Sequence, residues 1–536
     1  MFFPFLLFTI VFTVCECDKP HIILIVADDL GWNDVGFHGM NQIPTPNIDA
    51  LAWSGVMLHN YYVTPICTPS RAALMTGKYP IHTGMQHTVI FGSEPRGLPL
   101  SEKILPQYLK ELQYKTHLVG KWHLGSYKKE YLPFNRGFDS HLGFWSGKID
   151  MYDHTNEEKG YWGFDFRRNM SVAYDLFGKY ATDVYTQEAI RIINDHEKTE
   201  PLFLMIAHSA VHTGNPSEPI RAPDDVIANF SYIKDYQRQK FAGVLTKLDE
   251  SVGDVVAALQ SNQMLKNSII IFTTDNGGPA EGFNENRASN FPLRGVKNTL
   301  WEGGVRGAGL IWSPLIEKKS RIGKQRLHLV DWMPTLLSAA GMNVSTLKDL
   351  DGIDQWNALS KDLKSERNTI LHNIDDEYGT AAITIGKWKL HKGTNYDGAW
   401  DSWYGPAGRA GRYDAAAVCA SASGRALRQL GLMPTNDKIF ELRKKATIEC
   451  DRFSRTACYP LLAPCLFDIE DDPCETNNLA DREPEKLRYM LQELDKVNKT
   501  AIKPNNKPLD PRGDPKYWGH VITNFGDYEN TNTQTC

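Results

Sequence analysis

Apolar residues in this chain arrive in short, dense runs that stop abruptly at polar groups. His21-Ile-Ile-Leu-Ile-Val-Ala27 ends in Asp28-Asp29, and Ser268-Ile-Ile-Ile-Phe272 passes through two threonines to Asp275-Asn276-Gly277-Gly278. Both runs are short for helices and rich in β-branched residues, so they are expected to be buried parallel strands. A third run, Pro201 to Ala207, leads to His208 and His212, and a fourth, His117-Leu118-Val119, leads to Gly120-Lys121-Trp122-His123. Between them the spacing turns helical. Ser101 to Leu112 reads as one helix behind a serine cap, and Gln237 to Gln260 as a longer one. Alternating strands and helices predict an open α/β sheet covered on both faces. Functional groups in such sheets gather beyond the carboxyl ends of the strands, where each of these polar clusters falls.

After about residue 375 the texture changes: Gly and Tyr become dense and most of the cysteines appear. Ala381 to Leu390 reads as a strand and Glu485 to Val497 as an amphipathic helix begun by Pro484, while 393–459 carries no assignable pattern. The expected division is a leader at 1–17, a large α/β domain at 18–375 and a smaller α+β domain at 376–536. The leader rests on the apolar stretch Phe2 to Val14, too short to span a bilayer and followed by Cys15-Glu16-Cys17-Asp18. The alternative is a buried first strand. No later stretch is long and apolar enough to predict a transmembrane anchor.

Cysteine usage sharpens the compartment. Of nine cysteines, Cys419, Cys450, Cys458, Cys465, Cys474 and Cys536 cluster late, enough for three disulfides in an oxidising environment, with Cys465 and Cys474 able to close a small loop. Cys67 stands apart from all of them, as a reactive, intermolecular or modified cysteine would. Sequons at Asn169, Asn229, Asn343 and Asn498 are compatible with secretion. A net charge of −5, spread along the chain, leaves no basic footprint for a nucleic-acid partner.

Candidate chemistry lies at the strand ends. Asp28, Asp29, Asp275 and Asn276 offer three carboxylates and an amide oxygen, a donor set for a hard cation, although each pair alone also suits a simple strand-end turn. In Cys67-Thr-Pro-Ser-Arg71, Pro69 fits the first turn of a helix that Ala72-Ala73-Leu74-Met75 continues. Cys67 would then sit at the positive helix end with Arg71 on the same side, an anion site. A buried structural cysteine is the competing reading.

The segment Pro65-Ile-Cys-Thr-Pro-Ser-Arg-Ala-Ala-Leu-Met-Thr-Gly77 resembles the signature of the sulfatase family, whose core is Cys-x-Pro-x-Arg. Tyr114-Lys-Thr-His-Leu-Val-Gly-Lys-Trp-His123 is similar to the family's second signature, departing from it at Gln113 where glycine is usual. Phe291 to Arg306, Pro201-Leu-Phe-Leu and Leu466-Phe-Asp-Ile resemble the arylsulfatase B (N-acetylgalactosamine-4-sulfatase) branch, with departures at His212-Thr213-Gly214 and across 410–465. The resemblance implies an alkaline-phosphatase-like fold: a large mixed, mostly parallel sheet flanked by helices, with a smaller C-terminal α+β domain. It also implies oxidation of Cys67 to formylglycine by the formylglycine-generating enzyme, and one Ca²⁺ held by Asp28, Asp29, Asp275, Asn276 and the modified Cys67.

The mechanism so implied begins with the hydrated aldehyde, one of whose hydroxyls attacks sulfur and displaces the alcohol. Loss of the second hydroxyl's proton then regenerates the aldehyde and expels sulfate. By matching position, Arg71 holds the hydrate, Lys121 and Lys297 hold the sulfate, His123 assists the collapse and His212 donates a proton to the leaving group. His208 is the rival for that last role. The expected substrate is a sulfated sugar of the N-acetylgalactosamine 4-sulfate type, with a small sulfate ester such as a glucosinolate as the alternative. The rival functions are a phosphohydrolase of the same superfamily and a secreted binding protein that leaves Cys67 unmodified. The expected location is the secretory pathway, ending in secretion or in the lysosome.

Overall fold

The run His21–Ala27 forms β1, and all seven of its residues are buried, as a strand covered on both faces requires. In chain order it is followed by β2 (Val56–Tyr62), β3 (Lys115–Lys121) and β4 (Ser140–Phe144). The short strands β5 (Thr155–Glu158), β6 (Tyr161–Phe164), β7 (Arg167–Arg168) and β8 (Ser171–Val172) come next. Then follow β9 (Leu202–Ala207), β10 (Ser268–Thr274), β11 (Gly309–Trp312) and β12 (Arg321–His328). The computed structural model describes residues 19–450 and 455–528; the expected leader at 1–17 and Cys536 lie outside them.

Ten strands make one mixed sheet in the order β12-β2-β11-β10-β1-β9-β3-β4-β7-β8. The central strands β10, β1, β9, β3 and β4 are mutually parallel, so their carboxyl ends open on the same edge. Alternate residues feed two apolar layers. Ile23, Ile25, Leu204, Ile206 and Ile270 face the layer that includes the helices Pro46–Ser54, Ala181–Asp195 and Tyr236–Ser261. Ile22, Leu24, Val26, Met205 and Ile271 face the layer that includes Cys67–Thr76, Leu105–Glu111 and Trp332–Ala339. The large covered sheet is the expected architecture. Among the described residues, no helix is long and apolar enough to cross a membrane.

Three local expectations need correction. The helix expected from Ser101 starts only at Leu105, because Pro106 lacks an N–H and its ring is tolerated only in a first turn. Its start is closed by the Gln107 side chain, which accepts the Ile104 N–H at 2.9 Å. The single strand expected over Ala381 to Leu390 is two, β14 (Thr380–Ile385) and β15 (Trp388–Lys392), after β13 (Thr369–Asp375) and before β16 (Cys465–Asp468). Gly386, at φ 56°, supplies the left-handed residue that folds β14 back onto β15. The small loop between Cys465 and Cys474 does not form. Cys458 bonds Cys465 at the start of β16, Cys450 bonds Cys474 beyond its other end, and Cys419 pairs with no cysteine among the described residues. The strand itself holds Cys465 and Cys474 apart.

The antiparallel sheet β13-β14-β15-β16, flanked by the helix Pro484–Asn498, forms the smaller C-terminal unit and begins at Thr369. Other late segments return to the large sheet. The helices Ala415–Ala420, Ala422–Gln429 and Asn436–Ala446 contribute Ala415, Val418, Leu427 and Ile439 to its core. There Tyr413 donates its hydroxyl to Asp49 at 2.6 Å and accepts from the Trp53 indole at 2.8 Å. Farther on, the chain reaches the separate β5-β6 hairpin, where the His520 carbonyl accepts from the Phe164 N–H at 2.7 Å. A buried triad joins the two sheets, with Lys389 Nζ 2.9 Å from Glu302 and 2.8 Å from Glu475. All three side chains are fully buried, and Glu302 closely follows the loop that carries Lys297.

Candidate active site

The acidic pairs expected at two strand ends meet because β1 and β10 are parallel neighbours in register, Ala27 beside Thr274. Asp29 takes a left-handed conformation, φ 64°, turning the chain out of the sheet. Its N–H donates to Asp275 Oδ1 at 3.2 Å, and Asn276 Nδ2 donates to Asp29 Oδ1 at 2.7 Å. All four residues are buried.

Three cations close around the acids. Lys121, the last residue of β3, reaches Asp28 at 2.6 Å. Lys297 reaches Asp29 at 2.7 Å, and Arg71 reaches Asp275 at 3.0 Å while donating to the Lys121 carbonyl at 3.2 Å. Three positive charges therefore balance three negative ones. Burial alone would raise the carboxyl groups of Asp28 and Asp29, but their cationic neighbours outweigh it and hold both below the usual range. Asp275 moves the other way, because burial and the facing Asp28 together exceed the pull of Arg71.

Cys67 opens the helix Cys67–Thr76, as its sequence suggests, with Sγ 3.7 Å from Asp28 Oδ1. It is 2% exposed. Burial pushes its thiol up to about 12, against the pull of Lys121 and Lys297. In this form the group is a neutral thiol at any physiological pH and a poor nucleophile.

His123 and His212 line the same pocket as Cys67 and Lys297, a cleft of about 560 Å³. The ring of His123 meets the Ile90 carbonyl through Nε2 at 3.0 Å, so Nε2 carries the proton and Nδ1, which has no partner, is the free base. Burial first, then Lys121 and Arg71, hold that imidazole well below its ordinary value. In His212 the roles reverse: Nδ1 donates to the Thr213 carbonyl at 2.6 Å and Nε2 lies 3.5 Å from Asp29. Burial lowers this histidine too, with Asp29 opposing. His208 is elsewhere. It is buried under the sheet, 3.3 Å from the Ser251 hydroxyl on the helix Tyr236–Ser261.

A hard cation suits the donors present. Asn276 Oδ1 is buried with no hydrogen-bond partner, an orphan oxygen that a metal ion would satisfy. Donor atoms of Asp28, Asp29, Cys67 and His212 also lie within 4.8 Å of one another.

Residues with no sequence signal complete the pocket. Lys148, Glu157, Glu158 and Glu285 line its outer part. They come from the segment after β4, the β5–β6 hairpin and a loop before Lys297, which only the folded chain brings together.

Comparison with known proteins agrees with this geometry. A family model described as Sulfatase matches residues 20–342. Mouse arylsulfatase J is 38% identical over 524 residues, which cover 94% of this chain and 80% of that protein. Human N-acetylgalactosamine-6-sulfatase is 30% identical over 408 residues, covering 72% of this chain and 73% of that protein. The crystal structure of Ps i-CgsB in complex with k-i-k-neocarrahexaose has a TM-score of 0.70 at 28% identity, covering 91% of this chain and 94% of that one. With a family model spanning most of the chain and relatives matched along most of theirs, this protein belongs to the sulfatase family of sulfuric ester hydrolases.

Proposed function

We propose that the pocket hydrolyses sulfate monoesters through a formylglycine made from Cys67, with one Ca²⁺ held by Asp28, Asp29, Asp275, Asn276 and the modified residue. The carrying observation is the setting of Cys67: a thiol pushed up to about 12, placed among two lysines, an arginine and the acidic pairs. A neutral thiol wastes that setting, whereas an aldehyde hydrate uses it. The modified side chain supplies an oxygen nucleophile and, through its second hydroxyl, a route for sulfate release. A Ca²⁺ held by these oxygens would supply positive charge that favours ionising the hydrate.

The chain's own residues do the rest in this reading. Arg71 clamps Asp275 and the end of β3, fixing Lys121. Lys121 and Lys297, each now on a carboxylate, take up the sulfate oxygens and the charge that develops on the departing oxygen. His123 offers the unprotonated Nδ1 to accept the hydrate proton. His212 presents Nε2 to the leaving alcohol; burial lowers its imidazole and Asp29 opposes that, so Nε2 must first take up the proton that it then donates.

The substrate proposed is a sulfated hexosamine of the N-acetylgalactosamine 4-sulfate type; a pocket with room for a sugar ring and a relative named N-acetylgalactosamine-6-sulfatase support the sugar, and the 4-position rests on the resemblance in sequence. Two disulfides support the secretory pathway, with secretion or lysosomal delivery as its end. Asn229 and Asn343 are exposed and open to glycosylation, whereas Asn169 and Asn498 are half-buried. Because Cys67 is 2% exposed, the formylglycine-generating enzyme would have to act before the chain folds.

Protein co-expressed with that converting enzyme should yield a Cys67 peptide with the mass of the aldehyde, and should turn over an aryl sulfate far faster than the matching aryl phosphate. Finding only the free thiol would favour the binding-protein reading, and faster phosphate release the phosphohydrolase. Calcium is a separate expectation. At about a hundredfold excess over its Kd, it should stabilise the fold by about 2.7 kcal/mol and raise the unfolding midpoint. The Asp28→Ala variant should lose that shift, and an unchanged shift would remove this acid from the metal site.

A further inference from the structure

The outer wall of the pocket carries a second constellation, distinct from the reacting centre. Lys148 follows β4 and is half-buried. Glu157 and Glu158 end β5, and Glu285 stands on the facing loop. The Lys148 carbonyl accepts from Asn156 Nδ2 at 2.7 Å and from the Ser146 hydroxyl at 3.2 Å, which fixes the backbone, whereas its ammonium, unlike those of Lys121 and Lys297, has no hydrogen-bond or ion-pair partner among the described residues. The carboxylates of Glu158, Glu157 and Glu285 all act on it electrostatically.

Glu158 is held in place by the Gly92 N–H at 3.1 Å. A Cβ built on Gly147 would stand 3.1 Å from Glu158 Oε1 and 2.8 Å from His123 Nε2. Glycine at that position therefore lets a carboxylate approach the imidazole that lines the reacting centre. The deep end balances its charges before any metal binds. The outer wall sets exposed Glu157 and Glu285 against Lys148 and exposed Lys159, and Glu158, whose carboxyl burial raises, adds negative charge in so far as it is ionised.

We propose that this wall selects a leaving group that is uncharged and rich in hydroxyls, and rejects one carrying a second anionic group at that depth. The inference rests on the sulfate-ester reading of the same pocket. Carboxylates accept hydrogen bonds from hydroxyls, and Lys148 donates to a ring or carbonyl oxygen, so a hydroxylated ring satisfies both. A second sulfate or carboxylate would instead meet these carboxylates in a partly desolvated space, where like charges discriminate strongly. The substrate class is then a singly sulfated neutral sugar rather than a multiply sulfated one.

Three aryl sulfates test this on aldehyde-bearing protein: 4-nitrophenyl sulfate, 4-carboxyphenyl sulfate and 4-(trimethylammonio)phenyl sulfate. The substituents also change intrinsic leaving ability, so the quantity read is how the ratio of kcat/KM for the anionic and cationic esters changes between proteins. In the Glu157→Gln/Glu285→Gln double variant, whose sites are exposed, that ratio should move about tenfold toward the anionic ester. Lys148→Gln should move it the opposite way. Ratios unchanged within about twofold, or shifts of reversed sign, overturn the proposal. Absence of turnover with all three esters would count against the formylglycine reading itself, and this proposal would fall with it.

Discussion

Replacing Cys67 by alanine is expected to lower kcat by about 10⁴ to 10⁶, the scale on which removal of a nucleophile acts. The fold should survive. Cys67 is fully enclosed, but its sulfur makes only a long contact of 3.7 Å with Asp28, and the helix behind it is held by Arg71 and by the apolar side chains of Ala72 to Met75. The melting curve should therefore stay close to that of wild type. Serine is the more informative variant. Its hydroxyl can attack sulfur once, releasing the alcohol, but the sulfated serine has no second hydroxyl on the same carbon to drive sulfate out. The expected trace is a burst of about one alcohol per protein followed by near silence, with a sulfate adduct on the Ser-containing peptide. Steady turnover by either variant at a rate close to wild type would contradict the mechanism.

Stability should fall as the pH drops below about 6.5. His38, His328, His372 and His391 are almost completely buried, and burial holds each imidazole well below its ordinary value. His59 and His208 are depressed to about 3 by the same cause. A histidine whose folded value is lowered contributes stability above the unfolded value of about 6.5, and that contribution is lost as the pH falls. Each deeply buried ring costs about 1.4 kcal/mol per pH unit in that window.

Buried acids oppose this. Burial raises Asp249 to about 7, Asp49 to about 6 and Glu475 to about 7, the last held down in part by Lys389. Their stabilisation is fully present below the ordinary carboxyl range and is lost as the pH rises through these values. The histidines outnumber them, so the net slope follows the histidines. Unfolding midpoints across pH 5 to 7.5 (about the range in which these groups diverge) should decline toward the acid end. A flat or rising profile would show that the buried imidazoles find protonated states within the native fold. A steep decline would favour extracellular release over lysosomal delivery.

What was legible in the sequence is local. Short apolar runs that stop at polar groups read as buried strands, most clearly where β-branched residues dominate as in β1 and β10, so those two and the Leu- and Met-rich β9 are readable to within a residue or two. Pro69 and the alanines that follow announce the helix at Cys67, and two signatures identify the family from its chemistry-bearing residues alone. The errors arose where one residue changes the path: Pro106 delaying a helix, Gly386 splitting a strand, and β16 standing between two cysteines.

Tertiary structure alone decided what surrounds those residues. His208 and His212 are equivalent as letters four apart, yet the first faces Ser251 beneath the sheet and the second faces Asp29. The two histidine tautomers depend on carbonyls at Ile90 and Thr213, whose placement no spacing rule encodes. Lys148, Glu157, Glu158 and Glu285 became neighbours through a hairpin and two loops, the elements whose paths depend least on local propensity. Hydrophobic periodicity determined the strands and where they end, because burial acts on each residue through its immediate neighbours along the chain. Charge balance, tautomers and the outer wall depend on distances across the fold, so they exist only once the strands stand side by side.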